Sequence, residues 1–266
     1  MDVNSNKNQE LDSLPAAARH SPTGIPVWKR CLDIACILLV APLVLPLMVV
    51  IAAVVKLVSP GPALFRQVRI GYRGQPFTCF KFRTMRVDAA TDIHDGHVAK
   101  LQTSNEPMVK LDAKGDPRII PCGNFLRALG LDEAPQIFNV LRGEMSLVGP
   151  RPCIPNEYKR YTPRHRMRLD AAPGLTGLWQ VSGKNQTTFE QMIDLDIRYA
   201  RTLSLSQDLR ILLKTIPAIW SQAQQQRIRR KAARMSEQMS EQKASPKIAP
   251  NPAVKPPLQG TPVGQS

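Results

Sequence analysis

The sequence predicts an α+β fold, mainly helical, in which a membrane-active helix, a β-hairpin and amphipathic helices surround a small core. Three observations predict it. An uncharged apolar run extends from Ile34 to Val55 and is interrupted by Pro42 and Pro46. A strand–turn–strand pattern follows between residues 63 and 85, and two segments with helical apolar spacing lie beyond residue 188. The chain divides into a polar lead (1–25), one domain (26–220) and a basic, proline-rich tail (221–266).

Composition narrows the partners before any motif is considered. Lys and Arg number 36 against 21 Asp and Glu, a formal net charge of +15, which calls for an anionic partner. Aromatics are sparse and neither a zinc-finger nor an RNP-like pattern occurs, so phosphorylated substrates or lipid headgroups are favoured over nucleic acid. The five cysteines are scattered without a CxxC pair, which indicates neither a disulfide framework nor a zinc site. His94 and His97 sit in a polar, Asp-rich stretch and are poor metal candidates.

Taken in order, residues 1–25 lack apolar periodicity and predict a disordered lead. No signal peptide is expected, because the apolar run starts after residue 33 and no small-residue cleavage site closes it. As a straight helix, Ile34 to Val55 would cover ~33 Å, enough to span a bilayer. Against a span stand the two prolines, each of which removes a helix hydrogen bond, and the basic residues on both flanks: Lys29 and Arg30 before, Lys56, Arg66, Arg69 and Arg73 after. A helix that enters, kinks and returns to the same face fits these features as well as a span does. Ser59-Pro60-Gly61-Pro62 ends the element.

The segments ALFRQVRIG and PFTCFKFRTM then read as a hairpin, with Gly71 and Gly74 supplying the turn and Lys81 and Arg83 on a basic face. Residues 87–118 predict a polar surface insertion with a short helix. Asn124 to Leu129 predicts a short helix closed by Gly130, which brings Arg127 near the next stretch. That stretch opens with Asp132-Glu133 at a helix start, with Pro135 in the first turn, Ile137, Phe138 and Leu141 as an apolar face, and Gly143 as C-cap. The acidic pair has two readings: a structural helix cap, or a carboxylate kept ionised by the helix end in a phosphate site. A stiff turn, Gly149-Pro150-Arg151-Pro152, comes next. Glu157 to Leu169 predicts a basic helix with a solvated or membrane-surface face. Two glycine-containing loops, 173–177 and 181–185, match neither a Walker nor a GxGxxG motif. Phe189–Leu203 and Gln207–Trp220 predict amphipathic interfacial helices, the second ending in an interfacial-type tryptophan. From 221 onward the sequence predicts a disordered tail with eight basic residues against two acidic.

In one order, KR-x-x-D (Lys29, Arg30, Asp33), the proline-broken helix, SPGP (Ser59–Pro62), FRQ-x-R-x-G (Phe65–Gly71) and KFRTM (Lys81–Met85) lead to LDE-x-PQ-x-x-NVL-x-G-x-MS-x-VGPRP (Leu131–Pro152) and PG-x-TG-x-WQVSG (Pro173–Gly183). Over roughly residues 26 to 220 the chain resembles the bacterial sugar transferases, monotopic phosphoglycosyl transferases, in their short form without additional N-terminal membrane helices. The resemblance implies a re-entrant helix (34–55) on the cytoplasmic face of the bacterial inner membrane. Its break would be at Pro46, where Leu45 replaces the serine of the family's Ser-Pro pair and Pro42 is an extra proline.

The resemblance also implies roles. Asp132 matches the family nucleophile, which attacks a UDP-sugar, forms an acyl-phosphosugar and releases UMP. Glu133 matches its partner, associated with Mg²⁺. Arg127 and Arg151 match phosphate-binding arginines, and Lys81 and Arg83 are further members of the basic site. The acceptor would be polyprenyl (undecaprenyl) phosphate among membrane lipids, with a UDP-hexose favoured over UDP-N-acetylated sugars and exopolysaccharide or capsule synthesis as the context. Competing readings are a membrane-associated glycosyltransferase that releases UDP and a non-catalytic basic membrane scaffold. Oligomeric state is left open.

Overall fold

The computed structural model describes residues 25–87, 104, 107, 118–183 and 186–244. The predicted lead, most of the 87–118 insertion with its two histidines, and residues 245–266 lie outside the described residues. The observed fold is mostly helical with two small sheets.

The apolar run lies within one 32-residue helix, α1 (Val27–Val58), that contains both Pro42 and Pro46. At 1.5 Å per residue it is ~48 Å long. Its two ends are docked on the rest of the chain by different means. At the start, buried Lys29 donates to Asp208 Oδ2 (2.5 Å) and to the Tyr199 hydroxyl (3.0 Å). Arg30 donates to the carbonyls of Val140 and Leu141, and Asp33 accepts from Ser146 Oγ and Leu147 N, both at 3.0 Å. Lys29, Arg30 and Asp33 therefore tie the helix to the domain. At the other end Met48, Ile51 and Val55 pack into a cluster with Phe82, Ile120, Leu126 and Ile137. Burying such side chains stabilises by roughly 1.5–3 kcal/mol each. Between the docked ends, Leu38, Leu39, Val40, Leu43, Leu45 and Leu47 are exposed.

The predicted hairpin is present as β1 (Leu64–Ile70) and β2 (Pro76–Phe82), paired antiparallel from Leu64–Phe82 to Ile70–Pro76. Its turn places Arg73 (φ 50) and Gly74 (φ 78) in the left-handed region, which glycine adopts without steric cost. Helix α2 (Gly123–Leu129) ends at Gly130 in a left-handed cap, α3 (Ile137–Arg142) ends likewise at Gly143, and both stops are where the sequence places them. The strands β3 (Ser146–Val148) and β4 (Gly174–Thr176) form a short parallel pair.

Two predicted helices differ. The basic segment 157–169 is three short pieces, α4 (Pro155–Lys159), α5 (Pro163–Arg166) and a 3₁₀ turn (Met167–Asp170). Pro163 stops the first piece and opens the second, with the Thr162 hydroxyl accepting from His165 N. Its face is not simply solvated either, since Glu157 and Arg168 are buried. After α6 (Leu178–Val181) and α7 (Phe189–Arg201), the last helix, α8 (Leu205–Ala244), runs 24 residues past Trp220, where the sequence places its end. The boundary of a disordered tail at 221 is thus corrected. Residues 221–244 are rich in Gln, Ala, Arg, Lys, Met and Glu and contain no Gly or Pro, so intrinsic preference continues the helix.

Candidate active site

Asp132 and Glu133 lie in the first turn of a six-residue 3₁₀ segment, Leu131–Gln136. In an α-helix the Pro135 ring would clash with the carbonyl four residues earlier, which favours the tighter turn. The N-cap is Gly130 (φ 70), with no capping side-chain bond. Asp132 is therefore not the cap that one reading of the sequence makes it. The α-helix itself, α3, starts only at Ile137, so the acidic pair sits in the 3₁₀ turn that leads into it. Lys81 Nζ lies 2.9 Å from Glu133 Oε1, both side chains partly exposed.

Buried Asn139 sets this distance. Its Nδ2 donates to Thr78 O (2.6 Å) and Glu144 Oε2 (2.6 Å), and its Oδ1 accepts from Phe80 N (3.2 Å). It thereby fills the hydrogen-bonding edge of β2 and fixes α3, with the acidic turn before it, against the strand that carries Lys81.

Arg151 arrives by a separate route. Gly149 N donates to Thr176 O (2.8 Å) and Gly174 N to Pro150 O (2.9 Å), so the loop after β3 lies on β4. The approach is close: a Cβ on Gly149 would stand 2.2 Å from Ala172 O, and one on Gly174 would stand 2.1 Å from Gly149 N. Only glycine fits either position. Beyond the crossing, Arg168 donates to Arg151 O (3.0 Å), Arg69 to Pro152 O (3.1 Å) and Ile70 N to Cys153 O (2.9 Å). The Arg151 side chain remains partly exposed, its Nη1 3.9 Å from Glu157 Oε2.

The two routes converge beside β2. Burial pushes the Cys79 thiol pKa up, while Lys81, Arg69 and Arg151 pull it down and Glu133 adds to the rise. Arg69 in turn has its pKa lowered by burial and by Arg151. Lys81, Glu133, Arg69 and Arg151 thus share one electrostatic neighbourhood. Arg127 is half-buried in the last turn of α2, which packs on the acidic turn. Arg83 is placed elsewhere. It is buried and donates to Ser59 O (2.7 Å) and to Pro60 O, which fixes the turn after α1.

Sequence reasoning left Asn139, Arg69, Glu157 and Arg168 without roles. Glu157 carried a signal, as the one acid from Pro155 to Arg168, a stretch with five Lys and Arg. Asn139 carried none, because its partners are backbone groups on a strand some 60 positions away.

The geometry can now be set beside known proteins. The chain is 37% identical over 193 residues to the exopolysaccharide production protein ExoY of Sinorhizobium fredii, covering 73% of this chain and 85% of that one. It is 43% identical to the UDP-glucose:undecaprenyl-phosphate glucose-1-phosphate transferase of Caulobacter vibrioides, covering 72% and 69%. With the undecaprenyl-phosphate galactose phosphotransferase of Salmonella typhimurium it shares 38% identity, covering 72% of this chain but 40% of that larger protein. The sequence model of the bacterial sugar transferases matches residues 25–222, which include the acidic turn, the hairpin and the Arg151 loop, and the chain belongs to that family.

Proposed function

We propose that the chain transfers a sugar 1-phosphate, most readily from a UDP-hexose, to a polyprenyl phosphate at the cytoplasmic surface of a bacterial inner membrane, releasing UMP. The observation that carries this is the ion pair of Lys81 with Glu133 in the acidic turn, with Arg151 fixed by its backbone in the same electrostatic neighbourhood. The names of the relatives, which act on undecaprenyl phosphate with glucose or galactose, support the substrate class.

In the proposed reaction an Asp132 oxygen attacks the phosphorus that bears the sugar. A bond forms from that oxygen to phosphorus while the bond to the bridging oxygen breaks, and UMP leaves with the electron pair. An oxygen of the polyprenyl phosphate then attacks the same phosphorus and frees the carboxylate, giving the polyprenyl diphosphate sugar. Both attacks bring anions together, so neighbouring positive charge is needed. Arg151 and Arg127 bind diphosphate oxygens, Lys81 holds Glu133 and adds charge, and Arg83 contributes by fixing the turn at the end of α1.

Among the described residues no three His, Cys, Asp or Glu side chains gather at a metal-binding spacing. Mg²⁺ needs only one or two carboxylates when substrate phosphates supply further oxygens, so the partly exposed Glu133 fits it, with Asp132 adjacent. Bound there, Mg²⁺ would neutralise diphosphate charge.

A re-entrant α1 is part of the proposal. Polar contacts hold its start, apolar packing and Arg83 hold its end, and both belong to one domain. Between them residues 38–47, exposed except for half-buried Ala41 and Val44, cover only ~15 Å, half the ~30 Å hydrocarbon thickness. The exposed stripe Leu205, Leu209, Leu213, Ile216 and Trp220 on α8, at steps of three and four, gives a second surface for lipid. Single-cysteine variants Pro26→Cys and Leu57→Cys, in a background lacking the native cysteines, are expected to react with an impermeant maleimide only from the cytoplasmic side. Periplasmic labelling of Pro26→Cys would overturn re-entry.

The reaction itself is tested with washed membranes, polyprenyl phosphate, Mg²⁺ and a panel of UDP-sugars. UMP release that depends on the lipid phosphate is the expected result. Release of UDP instead would make the protein an ordinary glycosyltransferase.

A further inference from the structure

We propose that Glu157 is a positioning residue that aims Arg151 at the diphosphate of the nucleotide sugar, with Tyr161 and Arg168 as its supports. The proposal rests on the assignment of Arg151 to substrate phosphate made above.

Glu157 is 2% exposed although it sits in the most basic stretch of the domain. A buried carboxylate is costly unless charges and donors surround it. Its Oε1 accepts from the Tyr161 hydroxyl (2.7 Å) one helical turn later. That hydroxyl in turn accepts from Arg168 Nη1 (2.5 Å). Arg168, fully buried, also donates to Asp196 and to Arg151 O. Arg151 is therefore gripped at two points, its carbonyl by Arg168 and its guanidinium by the charge of Glu157.

The division of labour follows from which carboxylate oxygen each cation meets. Arg168, matched directly by Asp196, approaches Glu157 on the Oε1 side that Tyr161 also occupies, at 3.6 Å. Glu157 Oε2, the oxygen not occupied by Tyr161, faces Arg151 Nη1 at 3.9 Å. That separation is too long for a hydrogen bond but within the range of an ion pair. Arg69 is close enough to feel Arg151 as a like charge. Attraction from one buried acid and repulsion from one buried cation orient the guanidinium without consuming its donors. A direct bidentate pair would hold Arg151 away from substrate; this loose one holds it ready.

The test uses the full chain in phospholipid nanodiscs with polyprenyl phosphate and whichever of UDP-glucose and UDP-galactose supports turnover. UMP release is measured against nucleotide-sugar concentration. Glu157→Gln is expected to raise KM about tenfold with kcat changed less than about threefold, the signature of lost ground-state binding. Arg151→Ala should raise KM further, and in that background Glu157→Gln should add nothing. If Glu157→Gln does not fold, Tyr161→Phe decides, because it removes one donor and keeps the ring; a rise of about threefold that vanishes beside Arg151→Ala is expected. Additive losses, or a fall in kcat at unchanged KM, would show a structural role only and overturn the proposal. An unchanged KM in Arg151→Ala would instead overturn the phosphate assignment on which it rests.

Discussion

Asp132→Asn is expected to abolish UMP release, by at least ~10³-fold, without loss of the folded protein. The two side chains have the same shape, but an amide nitrogen or oxygen cannot take the place of the carboxylate oxygen that forms the bond to phosphorus. Stability should hold for a structural reason. Gly130 rather than Asp132 occupies the cap, and no capping bond is made by a side chain there. Asp132 is also only half-buried, so the change should stay within ~0.5 kcal/mol of the parent protein. Two measurements check this on one preparation: initial UMP release with saturating UDP-sugar and polyprenyl phosphate, and the thermal midpoint by circular dichroism. Activity retained within about tenfold would remove Asp132 from the role of nucleophile. Lost activity with a sharply lowered midpoint would return it to a structural one.

The contrast between Asp132 and its surroundings shows what a single sequence can convey. The apolar helix, the hairpin with its turn glycines and the stops at Gly130 and Gly143 were legible because local chemistry dictates them. A left-handed turn requires glycine, and an uncharged run must be buried in protein or lipid. Motif spacing marked the acidic pair and Arg151 as candidates. Arg83 was read as part of the phosphate site because its position in a basic strand resembles that of Lys81. Its actual partners, the carbonyls of Ser59 and Pro60, come from a turn more than twenty residues earlier. The basic segment 157–169 failed in a similar way. Charge composition suggested a solvated helix, whereas Asp196 and Tyr161 make burial of Arg168 affordable in free energy. That compensation depends on α7, which contributes Asp196 from 28 residues away. Neither pairing leaves a trace in local periodicity. The end of α8 was misplaced for the opposite reason, since a polar, low-complexity composition was weighted above the helix preference of its individual residues.

Asp208→Ala is expected to destabilise the protein by ~3–5 kcal/mol, more than any single change at the acidic turn, because it strands a buried ammonium. Lys29 and Asp208 are 1% and 0% exposed, with Nζ and Oδ2 2.5 Å apart. Tyr199 completes the cluster, accepting from Lys29 (3.0 Å) and donating to Asp208 Oδ1 (2.7 Å). Burial and the neighbouring Asp208 hold the tyrosine pKa above its ordinary value, so it stays a neutral phenol and a donor. With Asp208 gone, Lys29 keeps the Tyr199 hydroxyl and only the more distant charge of Asp33, so water must be drawn in to replace the lost partner. The consequence extends beyond stability, since this cluster joins the start of the membrane helix to α7 and α8. Its weakening frees one of the two ends on which the proposed re-entry depends. Unfolding of the full chain in nanodiscs, followed by circular dichroism, gives the size of the loss. The double change Lys29→Met with Asp208→Leu discriminates the cause, because an apolar pair of similar volume removes the desolvation cost along with the attraction and should recover most of the stability. A loss below ~1 kcal/mol in Asp208→Ala would mean that water reaches Lys29 and that the helix start is not docked as described. Recovery of stability in the double change with labelling of Pro26→Cys still cytoplasmic would show that burial at this junction, rather than the ion pair itself, returns α1 to the face it entered.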